Sequence, residues 1–213
     1  KQKTAYEIHE RLVGSEMCIR DRDDHIRLDK SDNADILDND IRENDRRMPM
    51  RSMRYSANNG IKLTQSADAL IQGNDIRNIS DDGIDLENSD HARIIGNDIR
   101  NVMDDGIDIE GGRNIRIIDN DVIDAGDNGM EIADVRKLRI NENLVQGSDN
   151  EGILADDVTN VRVTKNLIRD AGDEGIEFDR SSNVHVINNR IIETDDASEF
   201  DNVDDFVIAR NKI

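Results

Sequence analysis

The sequence predicts an all-β solenoid of stacked repeats. Three observations carry that prediction. Glycine recurs at Gly60, Gly83, Gly106, Gly129, Gly152 and Gly175, each interval being 23 residues. Fourteen residues after each glycine comes an asparagine, at Asn74, Asn97, Asn120, Asn143, Asn166 and Asn189, and Asn39 and Asn211 extend the series. Between these markers apolar and polar residues alternate with a period of two, which argues half-buried strands. A fixed period in this range marks a chain built by stacking one short unit on the next.

Residues 1–22, KQKTAYEIHERLVGSEMCIRDR, stand outside the pattern. They resemble a translated sequencing adapter: KQKTAYE matches a flow-cell primer and LVGSEMCIRDR a transposon-end read primer, with His9 and Glu10 where a sample index would fall. A segment of this kind is set aside before fold reasoning. The only cysteine, Cys18, goes with it, so the redox compartment is not legible. The expectation is a non-native segment 1–22 followed by one domain over 23–213, a fragment of a longer solenoid. That domain opens inside a strand at HIRLD, stops at RNKI and shows no polar caps.

Composition excludes some functions. With 28 Lys and Arg against 48 Asp and Glu, the net charge is −20. Nucleic acid is bound through basic groups on phosphates, and anionic membranes attract basic segments, so neither partner is expected. No apolar run is long enough to span a bilayer. High charge with 2% aromatics is a composition found in disordered chains, but the strict repeat overrules it.

Each coil holds two short strands and a third apolar position. The first strand is Gly-Ile-x-Leu, as in Gly83-Ile84-Asp85-Leu86. The second precedes the asparagine, as in Ile115-Arg116-Ile117. The third position follows it, as at Val122. The inward columns are Ile61/Ile84/Ile107/Met130/Ile153/Ile176 and Leu63/Leu86/Ile109/Ile132/Ala155/Phe178, rich in the β-branched residues that suit a pleated surface. Asparagine tolerates the left-handed conformation of a tight turn, and its amide can donate to the amide of the next coil.

This pattern resembles the right-handed parallel β-helix family of the pectate-lyase type over essentially all of residues 23–213. The resemblance implies about eight coils of 22–23 residues with an asparagine ladder, a rod of roughly 38 Å at the interstrand spacing. A leucine-rich repeat shares the form of IRIIDNDV, but leucine is scarce at the key positions and the Gly-Ile-x-Leu strand fills the space that repeat gives to a helix. A calcium β-roll would show GGxGxD runs, and none occurs.

The outward positions carry the chemistry. In the first strand they are Asp85 and Glu87, Asp108 and Glu110, Glu131 and Ala133, Leu154 and Asp156, Glu177 and Asp179, Glu199 and Asp201. Just before each glycine lie Asp81-Asp82, Asp104-Asp105, Asp127-Asn128, Asn150-Glu151 and Asp173-Glu174. Like charges one coil apart, about 4.8 Å, repel by roughly 1 kcal/mol even in water. Calcium takes six to eight hard oxygens and would neutralise such a strip. The candidate metal ligands are Asp81, Asp82, Asp85, Glu87, Asp104, Asp105, Asp108 and Glu110. The competing reading is a solvated acidic face that aids solubility.

A second face is basic. Arg93, Arg116, Arg139 and Arg162 share one outward position, which His185 continues; the four are candidate substrate-binding residues for an anionic polymer. The plainer outcome is pairing with neighbouring acids. The third feature is a loop insertion at 45–59, DRRMPMRSMRYSANN, which makes the Asn39–Asn74 spacing 35 residues. Long loops on rigid scaffolds often carry function. In polysaccharide lyases and epimerases with the resembled fold, loops here and the adjacent strand build the cleft. That chemistry needs calcium or a basic group on the uronate carboxylate, a base at C5 and often a tyrosine acid. Arg51, Arg54 and Tyr55 are the candidate catalytic residues. The DDG acid pairs also resemble those of β-helix polygalacturonases, but the accompanying His and Arg-x-Lys motifs are missing. His91 and His185 read as surface residues.

The expected protein is therefore an exported module, extracellular or periplasmic, that binds or acts on polysaccharide. The resemblance allows a calcium-assisted uronate lyase or epimerase. The alternative is a non-catalytic structural or adhesion rod with a solvated or calcium-filled acidic face.

Overall fold

The computed structural model describes residues 24–42 and 58–213, with the short strands Leu12–Val13 and Glu16–Met17. Among these residues there is no helix, and every paired strand is parallel to its neighbours. Three strand columns run along the stack. The first holds Ile26–Asp29, Ile61–Thr64 and Ile84–Glu87 and continues to Glu199–Asp201. The second includes Leu70–Gln72 and Arg93–Ile95 and ends at Asp204–Ala209. The third runs through Asp75–Ile79, Asp98–Val102 and Asp121–Ala125 to Arg190–Ile192. Leu12–Val13 and Glu16–Met17 pair with Asp35–Leu37 and Asp40–Arg42, so backbone within the adapter-like segment extends the second and third columns.

Six complete coils begin at the six repeating glycines, with part-turns before and after them; the expectation of about eight counted those part-turns. In two middle coils the first and second columns fuse into single strands, Ile107–Ile118 and Met130–Asn141. The first and second columns therefore form one 15-stranded sheet and the third an 8-stranded sheet.

Both expected inward columns are fully buried, from Ile61 to Ile176 and from Leu63 to Phe178. Ile71, Ile94, Ile117 and Ile140 fill the core from the second column, and Ile76, Ile99, Val122 and Val145 from the third. Each such side chain contributes about 1.5–3 kcal/mol on leaving water. The glycines recur because the third column crosses close above them. A Cβ on Gly106 would lie 2.2 Å from Val122 Cγ1 and 2.5 Å from the Gly129 carbonyl oxygen.

The asparagine ladder forms, but not for one of the expected reasons. The left-handed residue is the one before each asparagine: Gly96, Asp119, Glu142 and Lys165 have φ of 61°, 58°, 61° and 59°. The asparagines contribute their side chains. Asn97 Nδ2 and the Asn97 backbone N–H both donate to Asn120 Oδ1, at 2.9 and 3.0 Å, and Asn120 does the same to Asn143. Each Nδ2 also donates back to the previous coil, as from Asn120 to the Ile94 carbonyl at 3.0 Å. These amides are buried without a lost hydrogen bond, which is the condition for burying them at all.

Candidate functional site

Register sets the faces. The outward position of the first column reads Arg27, Lys62, Asp85, Asp108, Glu131, Leu154, Glu177 and Glu199 in successive coils. Asp85 holds an outward strand position, as expected, yet is only 4% exposed. Two donors cover it: Asn59 Nδ2 lies 2.6 Å and Lys62 Nζ 2.5 Å from Asp85 Oδ2. Lys62 Nζ also lies 2.5 Å from Glu87 Oε1. The repeat contained the signal for Lys62, since Gly60-Ile61-Lys62-Leu63 is the same strand one coil before the acids.

The residues before the glycines form a second ladder, of mixed acid and amide. Asp24 Oδ1 accepts the Asn59 backbone N–H, Asn59 Oδ1 that of Asp82, and Asp82 Oδ1 that of Asp105. Asp105 Oδ1 accepts from Asn128 at 2.8 Å and Asn128 Oδ1 from Glu151 at 3.1 Å. Asp82 and Asp105 thus stand where other coils place asparagine. Burial, with the charges of Asp81 and Asp108, pushes the Asp82 carboxyl up to about 8. Burial also drives Asp105 upward, against its bond from Asn128 and with help from Glu131. Asp108 rises to about 7 through burial, Asp85 and Glu131.

The eight expected metal ligands do not make one cluster. Donor oxygens come within 4.8 Å in three overlapping triads, Asp81/Asp82/Asp104, Asp82/Asp85/Asp108 and Asp104/Asp105/Asp127. Glu87 is committed to Lys62, and Glu110 is exposed and in no triad. A fourth triad, Glu151/Glu174/Glu177, lies further along the strip. There Glu177 rises to about 7, chiefly through burial and the charge of Glu151. One oxygen in the second triad fits a cation: Asp85 Oδ1 is buried with no hydrogen-bond partner.

The second column carries the basic face. Arg93, Arg116, Arg139, Arg162 and His185 lie in consecutive register. All four arginines are exposed. The expected pairing with neighbouring acids does not occur: none of the four has a carboxylate within ion-pair distance among the described residues. A groove of about 470 Å³ opens beside them, lined by Asn33, Asp68, His91, Arg93, Asn114 and Arg116. His91 Nδ1 lies 3.4 Å from Asp68 Oδ1. The third column differs again. Its Asp-x-Arg pairs, Asp40 with Arg42, Asp75 with Arg77 and Asp98 with Arg100, neutralise themselves two residues apart. Arg51, Arg54 and Tyr55 lie outside the described residues. No helix among the described residues is long and apolar enough to cross a membrane.

The architecture is that of a parallel β-solenoid with an asparagine ladder. The family described as the right-handed beta helix region matches residues 11–134 and 59–213, and the chain belongs to that family. No curated protein sequence matches it. Among solved structures it is similar to the enzymatically active domain of tailspike protein 2 of bacteriophage CBA120, at 12% identity over 92% of this chain and 35% of that one, TM-score 0.74. It is similar to the periplasmic alginate epimerase AlgG at 14% identity over 85% of this chain and 47% of that one, TM-score 0.61. It is also similar to PfbA, a surface adhesin of Streptococcus pneumoniae, at 15% identity over 90% of this chain and 59% of that one, TM-score 0.60. The chain spans about a third of the tailspike domain and under half of the epimerase. At these identities the likeness is one of fold.

Proposed function

We propose that the chain is a polysaccharide-directed module, working outside the cytoplasm or in the periplasm, whose arginine column holds an anionic glycan. One observation carries this. On a protein of net charge −20, four guanidiniums stand in register on one face with no carboxylate partner among the described residues. Stacked cations one coil apart repel, so the column costs stability unless an anion lies on it. Guanidinium forks match carboxylates bidentately, which suits uronate sugars. The neighbours include a periplasmic alginate epimerase and a surface adhesin, which supports a glycan-facing role in such a location. Binding of polyuronate to the wild type and to Arg116→Ala/Arg139→Ala tests the reading. A loss of about tenfold or more in the double variant is expected; equal binding would sink it.

A second reading concerns calcium, and the orphaned Asp85 Oδ1 favours it. Asp82, Asp85 and Asp108 would hold the ion, which would supply charge neutralisation on the strip. It would compete there with protons and with Lys62. A calcium-assisted lyase or epimerase would further need a base and an acid at the sugar, for which Arg51, Arg54 and Tyr55 are the candidates. Turnover lost in Tyr55→Phe would favour that enzyme; a non-catalytic adhesion rod would bind glycan unchanged in the same variant.

A further inference from the structure

We infer that the outward face of the first column is also a binding site for linear polyamines, held by their ammonium groups on the acidic rungs that follow Lys62. The chain supplies its own precedent. The Lys62 ammonium donates to Asp85 Oδ2 and to Glu87 Oε1, at 2.5 Å each. The Lys62 side chain is only 16% exposed, so this face takes an alkyl stem together with its charged head. One coil on, Asp108 and Glu110 stand in register with Asp85 and Glu87. That second pair meets no basic side chain within ion-pair distance among the described residues.

The side chain of Asp85 shows where a donor belongs. Asn59 and Lys62 take its Oδ2, whereas its Oδ1 is buried with no hydrogen-bond partner. An Asp85 oxygen lies within 4.8 Å of oxygens of Asp82 and Asp108. A primary ammonium has three N–H donors and no acceptor, which complements a cluster of acceptors. Its bonds to carboxylates are roughly twice as strong as those between neutral groups.

A different observation separates a polyamine from a lone ion. The outward column continues as Glu131, Leu154 and Glu177. Leu154 is half-buried and interrupts the acids, which resume at the triad Glu151/Glu174/Glu177. A metal ion gains nothing from an apolar rung between two acidic clusters. A linear polyamine does, because its charged nitrogens alternate with methylene segments. Leu154 then covers a methylene segment, and the acids on either side take the ammonium groups. Burial and neighbouring acids disfavour the ionised forms of Asp108 and Glu177, beside Asp85 and Glu151 respectively, so a cation close by relieves both. The inference uses neither the arginine column nor calcium, which would compete for Asp82, Asp85 and Asp108 but not for Leu154.

The test is calorimetry on the full chain with spermidine, 1,4-diaminobutane and fully quaternised spermidine, which keeps its charges and loses every N–H donor. Spermidine should bind about fivefold or more tighter than either of the others, the worth of one or two exposed ion pairs. Glu177→Gln and Leu154→Asn should each weaken spermidine about two- to fivefold, through a lost ion pair and a lost apolar contact. Thermal midpoints of the variants report that the rod remains folded. Asp205→Asn, which removes the same charge from an exposed position of the second column, should leave the affinity unchanged. Leu154→Asn should also leave the calcium-induced rise in Tm unchanged, so the polyamine and calcium readings fail separately. Equal binding of the quaternised form, or equal losses in Glu177→Gln and Asp205→Asn, would identify a diffuse counterion atmosphere and overturn the inference. Undiminished spermidine affinity in Leu154→Asn, or no spermidine binding to the wild type, overturns it as well.

Discussion

The Lys62 ammonium sits 2.5 Å from the buried Asp85 carboxylate, at the point where the outward column changes from basic to acidic. Burial lowers the basicity of Lys62, but its bonds to Asp85 and Glu87 outweigh that and hold it above the ordinary lysine value. Removing the lysine would leave Asp85 buried without its cation. Lys62→Met should cost roughly 3 kcal/mol at pH 8, the low end of the range for a broken buried pair because Lys62 is partly exposed. Urea melts followed by circular dichroism measure it, and Asp85→Asn in the same chain should recover most of the loss. An unchanged midpoint in Lys62→Met would show that the pair contributes nothing.

The buried acids set a pH dependence of unusual sign. Asp82, Asp105 and Asp108 all titrate higher in the folded chain than unfolded carboxyls do, chiefly through burial. Such groups stabilise the fold fully below the unfolded value near 4 and lose that contribution as pH rises through their folded values. With Asp108 at about 7 and Asp82 at about 8, Tm should fall between pH 6 and pH 9. The double variant Asp82→Asn/Asp105→Asn should flatten the profile, because an amide accepts the same backbone N–H without ionising. A wild-type Tm that is level across this range would contradict the protonated ladder.

Calcium and protons should compete for one strip. A ligand bound only by the folded state adds about 2.7 kcal/mol at 100 times its dissociation constant. The calcium-induced rise in Tm should be larger at pH 8 than at pH 6, should exceed that with magnesium, and should vanish in Asp85→Asn/Asp108→Asn. Equal small shifts with both ions would identify ionic screening instead.

Truncating one rung of the amide ladder should destabilise the rod beyond any surface change. Asn120→Ala removes the acceptor for both the backbone N–H and the Nδ2 of Asn97, and leaves the Ile94 carbonyl without its Asn120 donor. Each buried polar group left unpaired costs about 1–3 kcal/mol, so a loss of roughly 3 kcal/mol or more is expected. A midpoint within 0.5 kcal/mol of the wild type, on the order of a surface substitution, would refute it.

The interior was legible because stacking forces the same residues onto the same positions. Ile84 meets Ile107, Asn97 meets Asn120, and the period follows. The left-handed turns were not legible, since Glu142, Lys165 and Arg210 adopt them as readily as glycine does elsewhere. A turn held by the coils on either side tolerates residues that would avoid it alone, at about 1–2 kcal/mol each. Asp82 and Asp105 escaped for another reason. An acid in an acidic sequence reads as a metal ligand or as a solvated group, and only the hydrogen bonds to the coil beyond show the ladder role in which each replaces an asparagine. The unpaired arginine column was legible as a column, but not as unpaired, because pairing depends on which acids reach it.

Near-identical coils create an ambiguity that the outer surface narrows. A folding chain could dock one coil too early or too late and still bring isoleucine onto isoleucine. Shifted by one repeat, Asp108 and Glu110 would take the places of Asp85 and Glu87 beside Lys62, and the slip would go unmarked there. Shifted by two, Glu131 and Ala133 would stand there, and the lysine would lose one of its two acids. The lysine therefore works as a coarse address label, which separates these two doubly acidic rungs from the two that follow.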